Sequence, residues 1–524
     1  MRPPSSAASG LPLMYHSPVC SVELALLNPR APDGDPDEHR DPAPDGPAEP
    51  VSFGPAGIAV RRIGPASGPS RWSWILPVLL AVAGRASAEG LPDSCRRLWA
   101  DPATAARIER GIEAHRKGDL TIEISGPDGG PASGVRIEVE QTTHAFLFGC
   151  NLFALGQLGT PEKNRAYEEA FLGLFNFATI PFYWDALEPE EGRFRFAADS
   201  APVWRRPPPD LLLDWCRAHG VTPKGHPLFW QNWNPAWLPA DAEAYRKAYV
   251  RRFEAIARRY ADEIPVWDVV NEALACTKAY PLFDKQRMFV DWAFAQVRPL
   301  FARPGHTLMI NETGHKSHQP GSVNPYYALL RALKDRGCEV DAVGLQFHWI
   351  RRELLEKNVR NPRWSPAALL DVYERFAGMG KPLYITEISI PADGPDGPAV
   401  QAETARNFYR LWFSVYRMAG ITWWNLGDST IMEKNADGRA GLLDDDLTPK
   451  PAYRALEDLI RREWTTRTSG ATDAQGRFTF RGFGGKYEVR IPDPSGEGGV
   501  RRIGAEVKEG KAETVRLDFP AGAR

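Results

Sequence analysis

Residues 265–272 read PVWDVVNE and residues 382–389 read PLYITEIS. Each is a short apolar run, too brief for a helix and rich in Val, Ile and aromatic residues, and each closes on polar groups. Runs of this kind are strands buried on both faces, as in a parallel sheet covered by helices. Six more flank them at HAFLFGC (144–150), NFATI (176–180), TPKGHPLFW (222–230), TLMINE (307–312), AVGLQFHW (342–349) and GITWWNL (420–426). Longer segments of helical period, such as AEAYRKAYVRRFEAIARRYA (242–261) and TARNFYRLWFSVYRM (404–418), separate them. Eight strand–helix units over residues 143–464 predict an α/β fold, a (β/α)8 barrel.

The segments outside the barrel read differently. Residues 1–70 are rich in Pro, Ala, Gly and Asp and are expected to be a disordered leader, or to precede a start site nearer Arg61. In RWSWILPVLLAVAGRASAEG an arginine precedes an apolar run that ends in small residues, so 71–88 is expected to be a signal peptide, with a secreted, periplasmic or cell-envelope location. The run is too short to span a bilayer comfortably, which argues against a stable membrane insertion. Residues 89–142 predict a helix followed by a β-hairpin-like pair, LTIEIS and VRIEVEQ, joined by GPDGGPASG. Beyond Trp464, GRFTFRGF, KYEVRI, RRIGAEV and TVRLDF predict a small β-sandwich-like domain over 465–524, packed with the 119–141 strands as a brace or a carbohydrate-binding module.

Composition narrows the partners. A formal net charge of −2, from 64 basic and 66 acidic residues, supplies no field that would draw the chain to nucleic acid or to an anionic membrane. A neutral ligand fits better, and 17 tryptophans are many for 524 residues, since an indole face is a platform for a sugar ring. The six cysteines lack metal or disulfide-scaffold spacing, and the two histidines of GHKSH, His315 and His318, have no accompanying ligands, so neither a metal nor a cofactor is expected.

In such a barrel the site lies at the C-terminal ends of the strands. Polar residues stand there in strand three (His226, Trp230), strand four (Asn271, Glu272), strand six (Gln346, His348) and strand seven (Glu387). Two carboxyls facing each other across one barrel mouth suit a retaining glycosidase, with one as acid/base and the other as nucleophile at a separation of about 5–5.5 Å. Glu272 is expected to be the acid/base, its pKa raised by an anionic Glu387 and by burial. Asn271 is placed for the sugar 2-OH, and His348 or Gln346 to hold Glu387. Glu312 is a rival acid at the end of strand five, and Asp268 is expected to be structural. Trp233 and Trp237 extend the aromatic strip of Trp230, or else pack in the core.

The motifs together resemble the family 10 glycoside hydrolases. FNFAT with WDALEPEEGRFRF, GHPLFWQNWNPAWL, WDVVNE, VGLQFHW, YITEISI, ITWW and GLLDDDLTPKPAY resemble that family's segments, in order, over about residues 145–460. The resemblance implies an endo-β-1,4-xylanase-like activity in which Glu272, Glu387, Asn271, His226, Trp230, Gln346, His348 and Trp424 line the subsite of the reacting sugar. Two departures stand out. TIPFYW replaces a Glu-Asn pair and a Lys that grip the non-reducing-side sugars, and Met432 or its neighbours stand where a second tryptophan covers the sugar. That side is therefore expected to be less polar and more open. A polysaccharide, xylan or a related β-glycan, is the expected partner; β-glucan or β-mannan, and a non-catalytic sugar-binding protein on a decayed barrel, are the alternatives.

Overall fold

A computed structural model describes residues 91–518, apart from 92, 277, 279, 315, 316, 322, 323, 350, 351, 432–437 and 493–498. The expected leader, the signal segment 71–88, His315 and Met432 lie outside the described residues. Two helices, Asp93–Trp99 and Pro102–Arg116, lead into strands β1 (Lys117–Ser125) and β2 (Arg136–His144). Eight parallel strands then close into a barrel: β3 (Leu147–Asn151), β4 (Phe177–Pro181), β5 (Thr222–His226), β6 (Val266–Asn271), β7 (Thr307–Glu312), β8 (Ala342–His348), β9 (Leu383–Ser389) and β10 (Met418–Trp423), with β10 pairing back onto β3. The (β/α)8 barrel read from the sequence is the fold observed.

Local chemistry fixes the starts of several outer helices. Thr160, Asn324 and Ser365 each accept a backbone N–H from the third residue of the helix that follows, and each precedes a proline, whose fixed φ suits the first helical position. Inside the barrel, at its N-terminal end, Phe177, Val266, Met309, Ala342 and Tyr384 form a separate buried cluster that plugs the interior. No helix among the described residues is long and apolar enough to cross a membrane.

Two expectations about strands need correction. Strand three ends at His226 rather than at Trp230, because Pro227 has no N–H to continue the ladder; Trp230 stands on the loop beyond. The 119–141 segments are not a hairpin. β1 pairs with β12 (Arg477–Phe483) and β15 (Ala512–Asp518), whereas β2 pairs with β11 (Arg467–Ala471) and β13 (Gly485–Pro492), and β13 with β14 (Val500–Val507). The period-two burial of β1 explains the split: Leu120, Ile122 and Ile124 face Ile137, Val139, Tyr487 and Val489 across a common core, which needs two facing sheets rather than one flat pair.

Candidate active site

The eight residues singled out from the strand ends, Glu272, Glu387, Asn271, His226, Trp230, Gln346, His348 and Trp424, all line one cleft of about 270 Å³ at the C-terminal mouth, together with Tyr183, Arg205, Arg206, Trp233, Thr313, Ser389 and Asn425. Trp237 does not line it; its indole donates to the Glu188 carbonyl at 3.0 Å. Strand register sets much of this. Between β8 and β9 the pairing shifts after Leu345, so that Gln346 stands opposite Glu387 and His348 opposite Ser389. An irregularity of this kind re-aims side chains at a barrel rim.

A chain of amides joins the two glutamates. Asn311 donates from Nδ2 to Glu387 Oε1 and to Asn271 Oδ1, both at 2.9 Å. Gln346 donates from Nε2 to the same Asn271 oxygen at 3.1 Å and to Glu272 Oε1 at 3.4 Å. Thr386 fixes the Asn311 amide by donating to its Oδ1 at 2.6 Å. His348 Nε2 lies 3.2 Å from the other Glu387 oxygen, with its Nδ1 3.0 Å from Ser389 Oγ. His348 and Asn311 thus hold Glu387, and Gln346 belongs to Glu272 instead.

The surroundings of Glu272 differ from those of Glu387. Burial, and then the charge of Glu387, push the Glu272 carboxyl above its ordinary value. Its Oε2 accepts a 3.2 Å bond from the Trp230 indole N–H. Glu272 also sits in the left-handed region at φ 58, where a residue with a Cβ is uncommon. Its N–H donates to the Asn311 carbonyl at 2.8 Å, and Glu312 accepts the Leu274 N–H at 3.1 Å just downstream. The two strand-ending acids are therefore coupled, but Glu312 is fully buried and supports the backbone after Glu272 without lining the cleft. Burial raises its pKa to about 8.

Asp268 does more than fill space. It accepts from Lys224 at 2.7 Å and from His226 Nδ1 at 2.6 Å, all three residues being buried. Burial pushes the Asp268 carboxyl up, but Lys224 and His226 more than offset this and hold it below the usual range. A carboxylate on Nδ1 assigns the proton to that nitrogen, and Nε2 then faces the cleft 3.9 Å from Glu387 Oε1. His318 is occupied structurally, with Nδ1 2.9 Å from the Tyr373 hydroxyl and Nε2 2.7 Å from the Gln346 carbonyl.

The loop after β4 brings charged groups to the cleft that sequence reading does not anticipate. Residues 182–208 return to the mouth and bring Arg205 and Arg206 into the cleft. The run RRPPP carries no periodic signal, so sequence reading leaves it as loop. Asn311 is missed for a related reason: in TLMINE the eye goes to the acid, and only the barrel register puts the amide between the two glutamates.

Residues 159–459, more than half of the chain, match Glycosyl hydrolase family 10. The anti-sigma-I factor RsgI6 of Acetivibrio thermocellus is 27% identical over 402 residues, which is 76% of this chain and 47% of that protein. The chain thus spans about half the length of that relative. An endo-1,4-beta-xylanase of Geobacillus stearothermophilus is 26% identical over 340 residues, 58% of this chain and 94% of the xylanase. Among solved structures, xylanase 10B from Thermotoga petrophila RKU-1 in complex with xylobiose aligns at TM-score 0.49 and 22% identity, covering 61% of this chain and 95% of that one.

Proposed function

The chain belongs to glycosyl hydrolase family 10, and from that premise we propose that it is a retaining, endo-acting hydrolase of a β-glycan, with 1,4-linked xylan as its backbone substrate. The observation that carries this reading is the unequal pair of carboxyls in one cleft. Glu272 is held above the usual carboxyl range, which keeps a proton available for a leaving oxygen. Glu387 sits between an Asn311 amide and a His348 imidazole, which hold its carboxyl in place as the nucleophile.

In the first step a Glu387 oxygen attacks the anomeric carbon while the glycosidic C–O bond breaks and the Glu272 proton passes to the departing oxygen. Once Glu387 is esterified its charge is gone, and the second cause of the raised Glu272 pKa goes with it. Glu272, now anionic, takes a proton from water, and the resulting oxygen displaces Glu387 with net retention. Asn271 has its oxygen engaged by Asn311 and Gln346, so it offers its amide N–H to the sugar 2-OH. His226, oriented by Asp268, contacts the same sugar from the nucleophile's side, and Trp230 and Trp424 supply apolar walls. Export through the 71–88 segment belongs to the same reading, because a polymeric substrate is met outside the cell.

Reducing-sugar release from xylan, β-glucan and mannan tests the substrate. Release from xylan with shortening of the polymer is the predicted result. Release from glucan or mannan alone would contradict the xylan reading, and no release from any of the three by folded protein would contradict the hydrolase.

A further inference from the structure

Arg205 and Arg206 have no part in the mechanism above, yet both line the cleft beside the glutamate pair and are only 3% and 7% exposed. Their placement is built. Neighbouring residues in an extended run point to opposite sides, but Arg205 is in the left-handed region at φ 58, and this turn lets two consecutive side chains reach one cleft. The prolines at 207–209 stiffen the exit from the turn. The Arg205 N–H is held by Gln157 Oε1 at 2.8 Å, and its Nη1 donates to Asn425 Oδ1 at 2.8 Å. Arg206 donates from Nη1 to the Arg205 carbonyl at 2.8 Å and lies with Cζ 3.7 Å from the centre of the Tyr183 ring.

A single cation can grip sugar hydroxyls, but here two buried guanidinium groups stand side by side where neutral Asn271, Gln346 and Asn425 already offer hydrogen-bonding groups. A carboxylate on the glycan is different. Close to anionic Glu387 it is repelled, and it enters only where positive charge offsets that repulsion. Guanidinium groups present a planar fork that matches a carboxylate, and a site withdrawn from water strengthens the pairing. We propose that Arg205 and Arg206 form a subsite for the carboxylate of a uronate branch on the xylan backbone, an assignment that rests on the hydrolase reading. Burial lowers the proton affinity of Arg206, against the opposing influence of Tyr183 and Asp185, which agrees with a desolvated cation beside the cleft.

The experiment compares kcat/KM of the whole protein on a xylan bearing uronate branches and on the same polymer after its carboxyls are reduced to alcohols. The acidic form is predicted to be better by about tenfold or more, the scale of one charge-assisted pair. In Arg205→Gln and Arg206→Gln that ratio falls towards one; being a ratio, it does not depend on how much of the variant is active. A wild-type ratio of one, or below, overturns the subsite. If neither polymer is cleaved, the hydrolase reading fails, and calorimetry with Glu387→Ala decides the arginines separately: tighter binding of a uronate-bearing xylo-oligosaccharide than of its reduced form supports them, and equal binding overturns them.

Discussion

Three acids stand at or near the C-terminal ends of barrel strands, and their surroundings give them different work. Glu387 is held by Asn311 and His348, Glu272 faces the cleft with a raised pKa, and Glu312 is fully buried under the backbone that carries Glu272. Glu312 makes a testable statement about stability. Its folded pKa of about 8 lies above the ordinary 4.5, so between those values the folded state binds the extra proton. The stability it contributes is complete below about 4.5 and is lost as pH rises through 8, on the order of a few kcal/mol. Glu312→Gln stays neutral throughout, so urea midpoints should fall less between about pH 5 and 9 in the variant than in the wild type; parallel pH profiles would contradict the assignment. At this scale the sequence shows which strand ends carry acids. It prefers Glu272, with Asn271 before it, and leaves Glu312 as a rival; what removes the rival is the direction each side chain takes at the rim, which depends on register and on the left-handed turn at Glu272. Asp268 is legible only as structural for the same reason: its two partners, Lys224 and His226, lie on the neighbouring strand, 44 and 42 residues away.

Among the elements, β6, β7, β8 and β9 build the amide chain, and close approach of side chains from β7 and β9 depends on a glycine of β8. Gly344 lies beside Asn311 in the ladder, and a Cβ there would meet Asn311 Oδ1 at 2.6 Å and Thr386 Cγ2 at 3.0 Å. Asn311 is tied by bonds to three residues and has little room to give. Gly344→Ala is therefore predicted to displace the support of Glu387 and lower kcat on the order of a hundredfold, the cost of about 1 Å of misplacement, with a smaller change in KM. Unchanged kcat in folded Gly344→Ala would show that Asn311 does not position the nucleophile. All eight barrel strands are legible as apolar runs, since strands buried on both faces leave a strong signal in composition. The end of strand three is less so, because apolar residues continue past Pro227 into the loop that bears Trp230. The loop after β4 is the least legible, and it supplies the two arginines.

At the scale of the molecule, the two-sheet unit is made from both ends of the described chain, with β1 between β12 and β15 and β2 between β11 and β13. It is tied to the barrel by Arg116, buried and donating to the carbonyls of Phe413 and Val415 at 2.6 and 2.5 Å while pairing with Glu509 at 3.3 Å. Trp464 stacks on Phe413 at 4.0 Å beneath β3. Removal of residues 465–524 would strip β1 and β2 of their partners and expose Leu120, Ile122, Ile137 and Val139. Such a truncation is predicted to lower Tm by more than about 5 °C, as the loss of several buried side chains implies; an unchanged melting curve would show that the unit is independent of the barrel. Sequence reading anticipates the joint packing of these segments but not their pairing, since alternation reveals the buried face and not the neighbour. The central claim, that the molecule is a retaining hydrolase with Glu387 as nucleophile, is tested most directly by Glu387→Ala assayed on an aryl xylobioside with and without azide. Loss of turnover by more than about a thousandfold, with azide restoring part of it and yielding the α-glycosyl azide, is the predicted result. Normal turnover without azide would contradict it.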